Sequence, residues 1–303
     1  MPDNGESPAT APEGVLVMAY GTPATPDDVE AYYTHVRRGR PPTPEQLADL
    51  RRRYDAIGGT SPLVERTRAQ AAALQAALGD GYRVELGMKH ASPFIEDGVA
   101  ALAAQPLAGM VGLVLAPHYS RLSVGEYEAR ARKAAALYGL HLTMVDCWHR
   151  EPGYVELLAS FVLDLDVGDT EVVFTAHSLP TRILDDGDPY PDQLKETANA
   201  VAKKAGLEQW SVGWQSAGRT PEPWIGPDVL DVLRARAAEG TSRVVVCPAG
   251  FTSDHLEVLY DLDVEASALA AELGLTFART QMPNDHPRLA STLAEVVRRR
   301  AAA

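Results

Sequence analysis

Phe174-Thr175-Ala176-His177-Ser178-Leu179-Pro180 decides the fold, because it echoes Val17-Met18-Ala19-Tyr20-Gly21-Thr22-Pro23 much earlier in the chain. Each is an apolar run ending in Ala, a ring-bearing residue, a small residue and Pro. Leu86-Gly87-Met88-Lys89-His90 is then echoed by Val212-Gly213-Trp214-Gln215-Ser216, and Val114-Leu115-Ala116-Pro117 by Val245-Val246-Cys247-Pro248. The same order in both halves indicates a duplicated unit. Between these stretches, apolar runs ending at Gly or Pro alternate with Ala-rich segments of helical period, the pattern of an α/β protein with parallel strands. Strands are expected over 15–19, 83–88, 112–116, 142–146, 171–176, 211–214 and 243–247. Helices are expected over stretches that include 27–38, 44–54, 62–78, 125–138, 190–205, 254–273 and 288–300. Open α/β sheets bind ligands beyond the carboxyl ends of their strands, where Tyr20, His90, His177 and Pro248 fall. The cleft between the two halves is therefore the expected site.

With 303 residues, 46% of them hydrophobic, the chain can bury a sizeable core. Residues 1–12 read as a polar, disordered start, 13–153 and 154–303 as two domains, with the last helix able to return to the first. The net charge of -13 argues against nucleic-acid or anionic-membrane partners, since a long-range negative field repels both. Cys147 and Cys247 are too few for a disulfide framework or a cysteine-ligated cluster, and a reduced, cytoplasmic setting is expected. No apolar run approaches the roughly 18 residues that would suggest membrane insertion. Walker, dinucleotide-binding and nucleophile-elbow signatures are also missing, which disfavours nucleotide-dependent and serine-hydrolase chemistry.

His177 directly follows an apolar strand. Imidazole there suits either a borderline ion such as Fe²⁺ or proton transfer near neutrality, against the plainer reading of a structural histidine. In Ser253-Asp254-His255-Leu256-Glu257-Val258-Leu259-Tyr260-Asp261-Leu262-Asp263-Val264-Glu265, helical spacing strings Glu257, Asp261 and Glu265 along one stripe. Like charges at that spacing repel, and a hydrated divalent cation would compensate. A capping box of Asp254 with Glu257 competes with that reading but leaves Asp261 and Glu265 unexplained. Arg37, Arg38 and Arg40, then Arg51, Arg52 and Arg53, are either solvated helix faces or carboxylate clamps. The turn Gly58-Gly59-Thr60-Ser61-Pro62-Leu63 could hold an anion on its amides.

Together with Tyr32 to Arg40, Arg53-Tyr54, Gly187 to Leu194 and Trp224 to Val229, these stretches resemble the ferrochelatase family. Within it they are most similar to the short form of Gram-positive bacteria that acts on coproporphyrin III. The resemblance runs from about Val15 nearly to the C-terminus. It implies two similar Rossmann-like chelatase domains, each a parallel sheet flanked by helices, with a porphyrin held in the interdomain cleft. Fe²⁺ is then a substrate, His177 and Glu257 are the insertion pair, and Tyr20 approaches iron from the opposite face. Arg37, Arg53, Tyr54, Ser61 and Tyr127 match porphyrin contacts, and Asp261 and Glu265 match an outer site for Mg²⁺ or another divalent ion. Many members carry a [2Fe-2S] cluster, and none is expected here. A downstream coproheme decarboxylase is an expected partner. The competing readings are a protoporphyrin IX ferrochelatase, a chelatase for cobalt or nickel, a non-catalytic porphyrin carrier and a cleft-type small-molecule receptor.

Overall fold

In the computed structural model, which describes residues 11–168, 170–218 and 220–303, two four-stranded parallel sheets stand back to back with helices between and outside them. The first contains β1 (Glu13–Ala19), β2 (Tyr82–Met88), β3 (Met110–Val114) and β4 (Leu142–Val145) in the order β2-β1-β3-β4. The second contains β5 (Glu171–His177), β6 (Trp210–Gln215), β7 (Arg243–Cys247) and β8 (Thr276–Arg279) in the order β6-β5-β7-β8. One order serves both sheets, so the duplication read in the sequence is a duplication of topology. Two echoes coincide even in register: Val17 pairs with Leu86, as Phe174 pairs with Val212. The third does not. Val17 pairs with Leu113 and Phe174 with Cys247, so Cys247 corresponds to Leu113, three residues before the Ala116 with which the sequence echo aligned it.

The helices are α1 (Val29–Val36), α2 (Pro44–Ala56), α3 (Leu63–Leu78), α4 (Ile95–Ala103), α5 (Val124–Leu137), α6 (Pro152–Leu163), α7 (Arg182–Asp185), α8 (Tyr190–Ala205), α9 (Val229–Ala238), α10 (Leu256–Val258), α11 (Ser267–Glu272) and α12 (Pro287–Ala301). A 3-10 turn over Pro26–Asp28 replaces the start expected for α1. The single helix expected over 254–273 is three pieces, because Leu259–Ala266 winds as a π-helix between α10 and α11.

Strand periodicity explains how the layers are assembled. Val15 and Val17 of β1 face the middle of the molecule with Phe174 and Val172 of β5, while Leu16 and Met18 face outward onto Ile95, Val99 and Leu102 of α4. The second sheet repeats the scheme, with Val173, Val244 and Val246 packing outward on Val229, Leu233 and Leu262. The central core also includes Leu74 of α3, Leu157 and Leu158 of α6, Leu194 and Val201 of α8, and Leu289, Leu293 and Val297 of α12. The final helix thus returns to the first half, packing on α3, β3 and β4, with Arg300 Nε 2.6 Å from the Met144 carbonyl. No described helix is long and apolar enough to cross a membrane.

Candidate active site

The carboxyl ends of β1 and β5 open onto a cleft of about 450 Å³ walled by both halves. Tyr20, Tyr54, Ser61, Lys89 and Tyr127 line it from the first half, and His177, Tyr190, His255 and Glu257 from the second. Gly250 lets the loop after β7 pass the end of β5, with its amide bonded to Thr175 O at 2.9 Å. A methyl group there would overlap Ala176, the residue before His177.

His177, the last residue of β5, is held through its backbone carbonyl, which accepts from Tyr190 Oη at 2.9 Å. Its Nδ1 donates to the Ser178 carbonyl, so Nε2 is left facing Glu257 Oε1 at 3.4 Å. The second oxygen of Glu257 lies 3.5 Å from His255 Nε2. Burial works against charge on His177, yet Glu257 and the Ser178 carbonyl outweigh it and raise its pKa. Burial likewise opposes ionisation of Glu257, but His177 and His255 overcome it and hold the carboxyl below its usual range. The resting pair is an imidazolium facing a carboxylate.

Two positioning groups stand behind this pair. Thr175 Oγ1 donates to Gln215 Oε1 at 2.9 Å, and Gln215 Nε2 donates to the Glu257 carbonyl at 3.0 Å, tying the start of α10 to β5 and β6. Across the cleft the Tyr20 ring sits 4.6 Å from that of His90 and 6.0 Å from Lys89 Nζ. Desolvation, with the charge of Glu257, raises its pKa and keeps it a phenol. Lys89 also lies over the Tyr127 ring at 5.1 Å and pairs with Glu126.

The ferrochelatase family profile matches residues 12–301. The chain belongs to the ferrochelatase family. Among curated relatives, the coproporphyrin III ferrochelatase of Anoxybacillus flavithermus is 48% identical over 298 residues, covering 94% of this chain and 95% of the relative. That of Bacillus subtilis is 45% identical over 299 residues, covering 94% and 96%. The solved structure of the sirohydrochlorin chelatase SirB from Bacillus subtilis subspecies spizizenii, in complex with cobalt, superposes with a TM-score of 0.62 at 15% identity, covering 96% of each chain. CbiX, the terminal enzyme of sirohaem biosynthesis in denitrifying bacteria, gives 0.56 at 13%, covering 94% and 98%. At those identities the likeness is one of fold.

For a ferrochelatase, the cleft gathers six of the residues singled out in the sequence: Tyr20, Tyr54, Ser61, Tyr127, His177 and Glu257. Tyr54 is buried, with Oη 2.9 Å from Thr22 Oγ1, and Ser61 Oγ accepts from the Leu63 amide at 3.3 Å. Arg37, Arg53, Asp261 and Glu265 do not line the cleft. Arg37 Nε donates to the Arg40 carbonyl at 3.2 Å and its guanidinium lies over Tyr33, with no ion pair among the described residues. Arg53 is engaged on every side. It bonds Asp49 at 3.1 Å, covers the Tyr260 ring at 4.9 Å and lies 3.6 Å from Asp261 Oδ1.

The carboxylate stripe differs from its expected form. Asp261 is buried, bonded to Ser216 Oγ as well as Arg53, whereas Glu265 is exposed. Burial, partly offset by Ser216, pushes the Asp261 carboxyl up to about 6. Among the described residues no group of three or more His, Cys, Asp or Glu side chains is arranged to hold a metal ion. Asp261 and Glu265 therefore differ in setting, the first buried among partners and the second open to solvent. Nor does the capping box form. His255 precedes α10 without a capping bond, and Asp254 instead binds Arg279 at 3.1 Å and Asn284 at 2.8 Å. The Gly58 and Gly59 amides, candidates for anion binding, are spent on the Asp55 and Tyr54 carbonyls at 3.1 and 2.8 Å. His255, Gln215, Thr175 and Tyr190 escaped the sequence reading, although Gln215 lay inside a repeated stretch and His255 inside the acidic one.

Proposed function

We propose that the protein inserts Fe²⁺ into coproporphyrin III, giving Fe-coproporphyrin III, in the cleft between its two sheets. The observation that carries this reading is the His177–Glu257 pair at the mouth of β5, in a chain 45% to 48% identical over nearly its whole length to coproporphyrin III ferrochelatases. Insertion exchanges two pyrrole N–H protons for one Fe²⁺, so the site must present the metal, bend a planar ring and remove protons. Apolar cleft walls such as Leu115, Leu179 and Phe251 supply binding energy for bending. Glu257 draws the cation in, and its approach weakens the hold of His177 on the Nε2 proton, freeing that nitrogen for iron. When iron passes to the ring, His177 recovers a proton. Two protons leave the cleft per turnover. Tyr20 meets the opposite face as a neutral phenol.

Substrate choice follows from polarity. The segment Arg37-Arg38-Gly39-Arg40-Pro41-Pro42-Thr43-Pro44 is basic and polar, suited to four propionates rather than to two propionates and two vinyl groups. One net Arg–propionate contact of about 1.4 kcal/mol gives roughly tenfold discrimination. Arg37 provides the guanidinium for it, and Arg53 joins only by leaving Asp261. Anaerobic incubation with Fe²⁺ and each porphyrin, followed at the Soret band, should show at least about tenfold higher kcat/KM for coproporphyrin III, eroded by Arg37→Ala. Equal or better efficiency on protoporphyrin IX in the same detergent would refute the substrate assignment, and binding without insertion would leave a porphyrin carrier.

A further inference from the structure

Gln70 of α3 lines the cleft, yet its polar end is committed elsewhere. It is 4% exposed, and its Nε2 donates to two carbonyls of the second half, those of Thr252 and Asn284, each at 3.0 Å. Carbonyls can only accept, so the amide must turn its nitrogen toward them. Its Oε1 is left buried with no partner among the described residues, so this orientation is held for the donors alone. The loops after β7 and β8 are thereby pinned to each other and to the first half. Thr252 adds a second tie across the molecule, its hydroxyl donating to the Leu115 carbonyl at 3.1 Å, while its own carbonyl also accepts from the Asn284 amide at 2.8 Å. Asn284 sits at φ 44°, a left-handed conformation that Asn tolerates better than most residues. Its side chain brackets Asp254: Oδ1 accepts from the Asp254 amide at 2.9 Å, and Nδ2 donates to the Asp254 carboxylate at 2.8 Å.

The segment held in this way carries a group that steadies the insertion pair. His255 follows Asp254, donates from Nδ1 to the Ser253 carbonyl at 3.1 Å and turns Nε2 toward Glu257 Oε2, 3.5 Å away. His177 faces the other oxygen, so Glu257 is aimed from two sides, one of which depends on residues 252–255. The geometry points to Gln70 as a positioning residue for iron insertion: by pinning Thr252 and Asn284 it holds His255, and through it the Glu257 carboxylate, in place opposite His177. The inference rests on the chelatase reading, since it gives a remote amide a part in that reaction. Gln70 itself transfers no proton and ligates no metal. Its effect is geometric, and rates fall steeply when a reacting carboxylate drifts from its productive position. Because Gln70 belongs to the first half and Glu257 to the second, the carboxylate is fully placed only when the two halves are docked on each other.

Gln70→Met keeps the length of the side chain and removes its donors. Its kcat should fall by about fivefold to tenfold while porphyrin KM stays within about twofold, because the lost bonds serve Glu257 rather than the ring. Hydrogen–deuterium exchange of the free protein gives a readout independent of activity: amides over 252–257 should exchange at least about tenfold faster, with β5 and β7 unchanged. Asn284→Gly accommodates the left-handed backbone and removes the next link, so it should reproduce both effects. The double variant should be little worse than either single one, as links in series require. An unchanged kcat with a raised KM overturns the proposal and makes Gln70 a porphyrin contact. Faster exchange throughout the chain, tracking Tm, also overturns it and reduces the bonds to general adhesion between the halves. The local change in exchange, found in a protein that shows no insertion activity as wild type, overturns the chelatase reading instead.

Discussion

Replacing Glu257 by Gln removes the charge that keeps the His177 imidazolium in place, leaving burial as the dominant influence on that ring. The His177 titration, followed by NMR, should fall from above 6.5 in the wild type to below it in Glu257→Gln. The sign for stability follows. His177 contributes fully below its unfolded value of about 6.5 and loses its contribution as pH rises through the higher folded value, whereas Glu257 contributes above about 4.5 and loses it as pH falls through its depressed one. His177→Ala and Glu257→Gln should each reduce kcat by about a hundredfold or more while porphyrin binding, read by fluorescence quenching, persists. Asp261 behaves in the opposite sense. Its carboxyl is raised from 3.8 to about 6, so its ionisation destabilises the fold as pH climbs through that window. Asp261→Asn should therefore stabilise the protein by about 1–3 kcal/mol at pH 8, a gain absent at pH 4 in urea titrations. His177 was legible in the sequence because a strand end announces itself. The setting of Asp261 was not, because Ser216 and Arg53 reach it from 45 and 208 residues away.

At the scale of elements, α2 from the first half is fastened to the π-helix of the second. The Tyr260 ring lies under both guanidiniums, 5.6 Å from that of Arg52 and 4.9 Å from that of Arg53, and its hydroxyl accepts from Arg52 at 2.6 Å. Tyr260→Phe keeps the ring and loses only the hydrogen bond, a change of about 1 kcal/mol. Because the bond joins the two walls of the cleft, the expected outcome is faster porphyrin release in stopped-flow displacement, with little change in far-UV circular dichroism. An unchanged release rate would leave the contact a passive one. The π-helix itself was invisible to sequence reading, since apolar spacing over 254–273 is compatible with either winding and hydrogen-bond register is not written in side-chain class. Other elements were missed for simpler reasons. In α6 seven of twelve residues are buried, so it shows no polar face to reveal a helical period, and β8 is a four-residue edge strand with one large apolar side chain. Strands β1, β3, β5 and β7 were readable because central parallel strands are apolar on both faces.

Across the whole molecule, the core between the sheets belongs to neither half alone, since Val17 and Leu113 share it with Phe174, Cys247 and the helices α6, α8 and α12. Urea unfolding followed by tryptophan fluorescence and by circular dichroism should therefore give one coincident transition, where independent halves would give two. Leu293→Ala, in the middle of α12, should lower its midpoint by an amount equivalent to about 2–5 kcal/mol. The repeated strand order could be read from three short echoes, but this sharing could not, because it depends on which face of each helix the return of α12 covers. That return also sets the order of events during synthesis. The first sheet leaves the ribosome with its strands complete, yet Leu74 and the inner faces of β3 and β4 lack their cover until residues 287–301 have been made. The N-terminal half consequently waits, partly uncovered, for nearly the entire chain to be translated, and a nascent chain stalled before α12 exposes the apolar surface that chaperones bind.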